Sequence, residues 1–291
     1  VTFSLDPAAD DSPVLYGELG GLDVAVVAVS GRHSPSDRTG RSHWAAMEDY
    51  TLLLCERSAL RPLPVPLLVP HPRAVCAHIA GLPGTVCAVF LIGLSPIETA
   101  AVQAIMAAAE GPLIISETDT LTAAIGAATM TTLRGRGLLP GQGRLAVLCA
   151  EHAPRLQPVL LDCGAATVTT YQAADLPGPL LRRLLVDHDV VIDLDGLKPA
   201  WTMAAHTVAA PADPYDYAAL PLPGLLAALC GHGSITVTAT ALAAAARALA
   251  LITPVDRTLP SLADRRLTTA VARHVSRVLA SRTGESPSAY P

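Results

Sequence analysis

The sequence predicts an α/β protein built on mostly parallel sheets. Three observations carry that prediction. Short runs rich in Val, Leu and Ile alternate with longer stretches whose apolar residues recur at helical spacing, the pattern of consecutive βα units. The chain of 291 residues is 51% hydrophobic and only 15% charged, against about 25% charged in an ordinary domain. Strands buried on both faces require such an excess. Aromatic residues make up only 3% of the chain, so the core must be built from Ala, Val, Leu and Ile.

The first strand is LDVAVVAVSG (Leu22–Gly31), a Val-rich run ended by Ser-Gly, preceded by a poorly ordered or loosely docked lead-in. RHSPSDRTGRS (Arg32–Ser42) reads as a loop. Ala45, Met47, Leu52 and Leu53 place a helix over Trp44–Leu60. PVPLLVP (Pro64–Pro70) is a proline-bounded strand, Val75–Leu82 a short helix and Thr85–Ile92 another buried strand. Ser95 followed by Glu98 fits a capping box opening a helix over Pro96–Glu110. Pro112–Ser116 is a strand, and Thr118–Arg134 a long helix that Thr118 or Asp119 is placed to cap.

After the turn-forming GLLPGQG (Gly137–Gly143) a second series begins. Arg144–Ala150 and Gln157–Gly164 read as strands. A helix over Pro177–Leu185 leads to the strand Asp189–Gly196, a helix near Lys198–Ala205 and a strand at Thr207–Ala210. The Pro/Asp/Tyr-rich connection Pro211–Gly224 precedes Leu225–Cys230, a helix at Thr240–Leu251, a closing helix at Leu262–Ser281 and a disordered tail from Arg282.

Composition excludes several classes of function. A net charge of −5 without a basic run argues against nucleic acid. No apolar stretch approaches the ~20 residues of a membrane span. The polar, acidic start VTFSLDPAADDS does not resemble a secretion signal. Six cysteines lie scattered without C-x-x-C spacing, as expected of reduced thiols in a cytoplasmic protein. The histidines form no zincin pair, and no G-x-S-x-G elbow occurs. The G-x-G at Gly141–Gly143 precedes its strand, whereas a phosphate-binding loop follows one. Acidic residues do gather at the carboxyl ends of strands, where parallel sheets bind ligands: Glu117 and Asp119 after one, Asp193 and Asp195 at the end of another. Each also fits a helix cap or a solvated loop. Tyr50 reads first as core or rim, with a place in the cleft as the lesser alternative.

Several segments, in a shared order, resemble the malic enzymes. These are MEDYTLLLCERSALRPLPVPLLV (Met47–Val69), TVCAVFLIGLSPIETAAVQAIMAA (Thr85–Ala108), PLIISETDTLTAAIGAATMTTLRGRG (Pro112–Gly137), LPLPGLLAALCGHGSITVTATALAAAARALALI (Leu220–Ile252) and LPSLADRRLTTAVARHVSRVLA (Leu259–Ala280). The resemblance implies a parallel-sheet N-terminal malic-enzyme-like domain over 1–136. A truncated, degenerate Rossmann-like domain of the NAD-binding type follows over 137–258. A C-terminal helix and tail over 259–291 pack back.

That family oxidatively decarboxylates malate to pyruvate with NAD or NADP and Mg²⁺ or Mn²⁺. Carried onto this chain, its lysine base falls on Tyr50, and the only lysine, Lys198, lies in the second half. Its paired metal carboxylates fall on Ile92 and Gly93, and its third near Thr118, beside Glu117 and Asp119. Its glycine fingerprint falls on Cys149–Pro154. The segment carrying its tyrosine is missing, and its substrate-binding asparagines find no match in Ala204–Leu220.

The chain therefore reads as a divergent, shortened pseudoenzyme with a binding or regulatory role. Its catalytic, cofactor and metal sites are unassigned, beyond the cleft candidates Tyr50, Glu117 and Asp119 and the cofactor candidates Asp193 and Asp195. The alternative is an enzyme of altered, metal-independent chemistry on a small carboxylate. A third reading is a partner that modulates an active malic enzyme. Expected partners are a small carboxylate or nucleotide and further copies of the chain.

Overall fold

The computed structural model describes residues 21–30, 41–69, 71–175, 184, 186–195 and 206–283. The expected loop over 32–40, the helices at Pro177–Leu185 (apart from Leu184) and Lys198–Ala205, the N-terminal lead-in and most of the tail lie outside the described residues.

The first unit alternates β1 (Asp23–Val29), α1 (His43–Arg57), β2 (Arg61–Leu67), α2 (Pro72–Ala80), β3 (Val86–Ile92), α3 (Pro96–Ala108), β4 (Leu113–Ser116) and α4 (Glu117–Gly135). Its four strands are parallel in the order β2-β1-β3-β4. β1 is buried along its whole length, as a central strand of Val and Ala must be. β2 begins three residues before the expected start and ends at Leu67, and its sequence RPLPVPL explains its place at the edge. Pro62, Pro64 and Pro66 sit at alternate positions, opposite Val24, Val26 and Ala28, and their missing N–H groups fall on one side of the strand. The intervening residues pair with β1, and the outer edge offers no run of donors to a further strand. At α3 the expected capping box is present: Ser95 Oγ accepts from Glu98 N, and Glu98 Oε2 accepts from Ser95 N.

The second unit carries β5 (Arg144–Leu148), α5 (Leu156–Asp162), β6 (Thr167–Tyr171), β7 (Val190–Asp193) and β8 (Thr207–Ala209), again all parallel, in the order β6-β5-β7-β8. One element departs from expectation. Gln157–Gly164 is not a strand; it lies mostly in α5, and the strand beside β5 is β6. A short apolar run is ambiguous between strand and helix. Burial resolves it: Leu156, Val159 and Leu160 face the core at helical spacing while Leu161 is 46% exposed. β6, TVTTY, has the β-branched composition of a partly exposed edge strand.

Helices α6 (Tyr215–Ala218), α7 (Leu222–Gly231), α8 (Ala239–Ile252) and α9 (Leu267–Thr283) complete the chain. α7 and α8 bury their Leu and Ala side chains in the same core as Val24, Val26, Phe90 and Ile115 of the first sheet. α9 packs back onto it through Leu267, Val271 and Val275. Val75, Cys76 and Ile79 of α2 and Val102 and Met106 of α3 cover the other face of that sheet.

α4 belongs to both units. Ala123, Ala124 and Ala127 enter the first core, and Ile125, Ala128 and Leu133 enter the core of the second sheet. Such a helix must be apolar or internally satisfied all round. Its buried threonines comply by donating to carbonyls three or four residues back, Thr122 to Thr118 O at 2.7 Å and Thr129 to Ile125 O at 2.9 Å. Among the described residues no helix is long and apolar enough to cross a membrane.

The α7–α9 crossing depends on one glycine. A Cβ at Gly224 would lie 2.5 Å from Thr268 O and 2.7 Å from Val271 Cβ. Gly224→Ala is expected to cost about 1–3 kcal/mol through overpacking, lowering Tm by roughly 3–10 °C in a thermal melt. Gly84→Ala, where no atom lies within 4 Å, is the control and should shift Tm little.

Candidate functional site

The carboxyl ends of β3 and β4 converge on the N-terminal half of α1. α1 starts at the N-cap Ser42, whose hydroxyl accepts from Ala45 N, and turns Ala46, Met47, Tyr50, Leu53 and Leu54 inward. Tyr50 is fully buried (0% exposed). Its ring meets Phe90 edge-on, with centroids 4.7 Å apart, and lies tilted against Tyr215 at 4.9 Å. Its hydroxyl donates to Glu117 Oε1 at 2.9 Å. Burial and the Glu117 carboxyl together hold the Tyr50 phenol well above its ordinary range.

Further charged and aromatic groups surround this pair. Arg41 ion-pairs with Asp213 at 2.6 Å and with Asp49, and its guanidinium stands 5.0 Å over the Tyr215 ring. Burial pushes the Glu117 carboxyl up to about 7, reinforced by Asp213 and opposed by the Tyr50 hydrogen bond and by Arg41. The space bounded by Arg41, Ser42, His43, Ala46, Ile92, Glu117, Asp213 and Pro214 amounts to about 10 Å³, room for about one water.

The residues at the turn after β3 do not fit a divalent ion. Ile92 is buried and apolar, and Gly93 has φ +89°. A Cβ on Gly93 would sit 2.3 Å from Val29 O and 2.9 Å from His43 Nδ1, so a carboxylate side chain has no room to leave the backbone there. A hard cation needs several oxygen ligands. Among the described residues no group of three His, Cys, Asp or Glu is arranged to hold a metal ion.

Asp119, two residues from Glu117, points elsewhere. Ser116 is the N-cap of α4, in place of the expected Thr118 or Asp119, and Asp119 closes the capping box from the third helical position. Asp119 Oδ2 accepts from Ser116 N, Ser116 Oγ and Gln103 Nε2 at 3.0, 2.8 and 2.8 Å. Arg155 Nη1 donates to Asp119 Oδ1 at 2.9 Å, and Arg155 Nη2 donates to Gln103 Oε1 at 2.8 Å. The arrangement joins the two units and does not face Tyr50.

Asp193 and Asp195 lie at the carboxyl end of the second sheet. Asp193 is buried, and its Oδ1 accepts from Asp195 N at 3.1 Å, closing the turn after β7. Asp195 Oδ1 lies 3.7 Å from His152 Nδ1, an ion pair only when that imidazole is protonated. The loop after β5 does not fit a pyrophosphate. It has no glycine and passes through a left-handed Cys149 (φ 55°) into a 3-10 turn at Ala150–His152, whose Glu151 carboxylate accepts from Ala173 N at 3.0 Å. Arg155, at the start of α5, is engaged by Asp119.

The structure thus unites Tyr50 with Glu117, separates Asp119 from them, and leaves Asp193 and Asp195 in the other sheet. Arg41, Asp213 and Tyr215 escaped the sequence reading. The one signal for the last two was the Asp/Tyr-rich connection before α7. Arg155 and Gln103 carried no local signal at all.

No protein-family model matches the sequence, and no curated protein does. Solved structures do match. The malic enzyme of Entamoeba histolytica superposes with a TM-score of 0.74 at 16% identity, covering 93% of this chain and 71% of that one. The malic enzyme of Pyrococcus horikoshii Ot3 gives 0.70 at 15%, covering 93% and 78%. The NAD-dependent malic enzyme of Thermotoga maritima gives 0.66 at 15%, covering 88% and 84%. The chain has the malic-enzyme fold.

Glu117 makes stability depend on pH with a definite sign. Its folded value of about 7 lies above the ordinary 4.5, so the folded state holds the proton more tightly than the unfolded chain. The stabilisation is complete below pH 4.5 and is lost as pH rises through 7, by roughly 2–3 kcal/mol for a partly exposed group. Glu117→Gln stays neutral, so its Tm should match the parent at pH 5 and exceed it at pH 8. Parallel melting profiles across that range would contradict the assignment.

Proposed function

We propose that this malic-enzyme-fold chain does not oxidise malate and acts as a pseudoenzyme, in a binding or regulatory role. One observation carries the reading. At the position where the malic enzymes place their lysine base, Tyr50 is fully buried and bonded to Glu117, in a site with space for about one water. A general base must reach the proton it abstracts, and with Arg41 held on Asp213 the space beside Glu117 has no room for a four-carbon diacid. The turn at Ile92–Gly93 and the loop Cys149–Pro154 support the same reading, because neither offers the donors or the backbone clearance that the ion and the dinucleotide require. Action on an active enzyme of the same fold, or within an assembly of its own copies in the cytoplasm, is consistent with this role.

A second reading draws on Glu117. A carboxyl titrating near neutrality, bonded to a tyrosine and close to an arginine, has the character of an acid–base pair. Metal-independent chemistry on a small carboxylate would require the Arg41–Asp213 contact to open and admit it.

Purified protein incubated with malate, NAD or NADP, and Mn²⁺ or Mg²⁺ is expected to reduce no nicotinamide above a heat-denatured control. Malate-dependent turnover would overturn the proposal. Thermal-shift titration with malate, pyruvate and malonate separates the two readings. A rise in Tm that disappears in Tyr50→Phe favours the second, and flat responses favour the first.

A further inference from the structure

The seam where Arg155 meets α3 holds a cavity that shares no lining residue with the space beside Glu117. It measures about 230 Å³, the volume of roughly seven or eight waters at ~30 Å³ each. Ala100, Ala104 and Ala107 on α3, Ile114 on β4 and Val237 before α8 give it an apolar wall. Its polar side chains are Gln103, Arg155 and Thr236, and no acid lines it.

Arg155 carries the recognition chemistry. A guanidinium has five N–H groups in a fixed planar fork. Nη1 donates to Asp119 Oδ1 at 2.9 Å and to Val237 O at 3.2 Å, and Nη2 donates to Gln103 Oε1 at 2.8 Å. Gln103 Nε2 in turn donates to Asp119 Oδ2 at 2.8 Å and to Ile114 O at 3.3 Å, so Gln103 is fully engaged. Amide and carboxylate thus close a ring with the Nη1–Nη2 edge of the guanidinium. The second N–H of Nη2 and the N–H of Nε make up its other edge, and neither has an acceptor among the described residues. The arginine side chain is 34% exposed, whereas that of Asp119 is 6% exposed, so a ligand reaches the cation and not the acid.

We propose that this cavity binds a short-chain monocarboxylate, with its carboxylate bidentate on the Nε–Nη2 edge of Arg155 and its alkyl chain along Ala100, Ala104 and Ala107. Two parallel N–H groups match the two oxygens of a carboxylate. The ring with Asp119 and Gln103 holds that edge in place before the ligand arrives, which lowers the cost of ordering it. A phosphate fits less well, because its remaining oxygens would face carbon. The volume suits an acid of about four to six carbons. The site is independent of the reading given to Tyr50 and Glu117.

The test titrates the isotope-labelled full chain with acetate, propanoate, butanoate and pentanoate at constant ionic strength, following amide shifts by NMR. Saturable shifts are expected at Ala100, Ala104, Ala107 and Val237, with Kd tightening about fourfold per added methylene. Neutral butanamide should bind about tenfold more weakly than butanoate, or worse. Ala104 is exposed on α3, so Ala104→Phe fills the cavity without entering the core and should abolish binding. Arg155→Lys keeps a charge opposite Asp119 but has no fork, and should weaken binding about tenfold. Circular dichroism checks each variant for the parent fold, and Ala104→Phe decides the matter if Arg155→Lys does not fold. Tyr50→Phe should bind as the parent does. Shifts that do not saturate, binding retained in Ala104→Phe or lost in Tyr50→Phe, or butanamide or inorganic phosphate bound as tightly as butanoate, would each overturn the proposal.

Discussion

The carboxylate of Asp119 is the point on which the two halves of the molecule depend. It stands where β4 turns into α4, and it accepts four hydrogen bonds, two from Ser116 and one each from Gln103 and Arg155. The Ser116 bonds belong to the first unit's own helix cap, the Gln103 bond reaches α3, and the Arg155 bond crosses to the loop after β5. Arg155 Nη1 also donates to Val237 O at 3.2 Å, just before α8. One buried group thereby fixes a strand end, three helix starts and the approach of the second sheet. Removing Arg155 would leave the buried Asp119 carboxylate without its ionic partner, a loss moderated by solvent because the arginine is 34% exposed. This acid is occupied structurally, while Glu117, two residues earlier, faces the site.

α4 extends the same constraint along its length. A helix pressed between two sheets on one side and α8 on the other has room only for small side chains. A Cβ at Gly126 would come within 3.3 Å of both Ala246 Cβ and Val159 Cγ1. The Ala- and Thr-rich composition of the helix follows from that spacing. So does the scarcity of aromatics in a chain whose cores are filled by closely approaching backbones rather than by large rings. At its C-terminal end Arg134 donates to Ala250 O and Thr253 O, covering the last carbonyls of α8.

Features written in local pattern were legible from the sequence, and features made by distant partners were not. The β1 run, the Ser95–Glu98 box and the long α4 each depend on neighbours within a few residues, and each was found. The β2 prolines were read as bounds of a strand. Their role in blunting an edge became evident only with the pairing to β1. α5 is not legible because Gln157–Gly164 is apolar at the strand period and the helix period alike, and only the exposure of Leu161 against the burial of Leu160 distinguishes them. Tyr50 and Glu117 were identified separately as cleft candidates, but their hydrogen bond spans 67 positions. The clasp of Arg41 on Asp213 spans 172. No periodicity or spacing rule reaches that far.

The chemistry at Tyr50 is internally consistent. A lysine there would place an ammonium in a dry pocket beside Arg41, and its charge would need Glu117 fully ionised. A phenol offers the same reach as a neutral donor, so Glu117 can hold its proton near neutrality without leaving a bare charge. Arg41, for its part, is matched by Asp213 and Asp49 and shielded by the face of Tyr215. Ile92 fills the space beside Glu117 with carbon, and Gly93 turns through a backbone conformation that admits no side chain. Each of these residues suits the others and suits a divalent ion poorly. The site is held together by packing and hydrogen bonds among its own members.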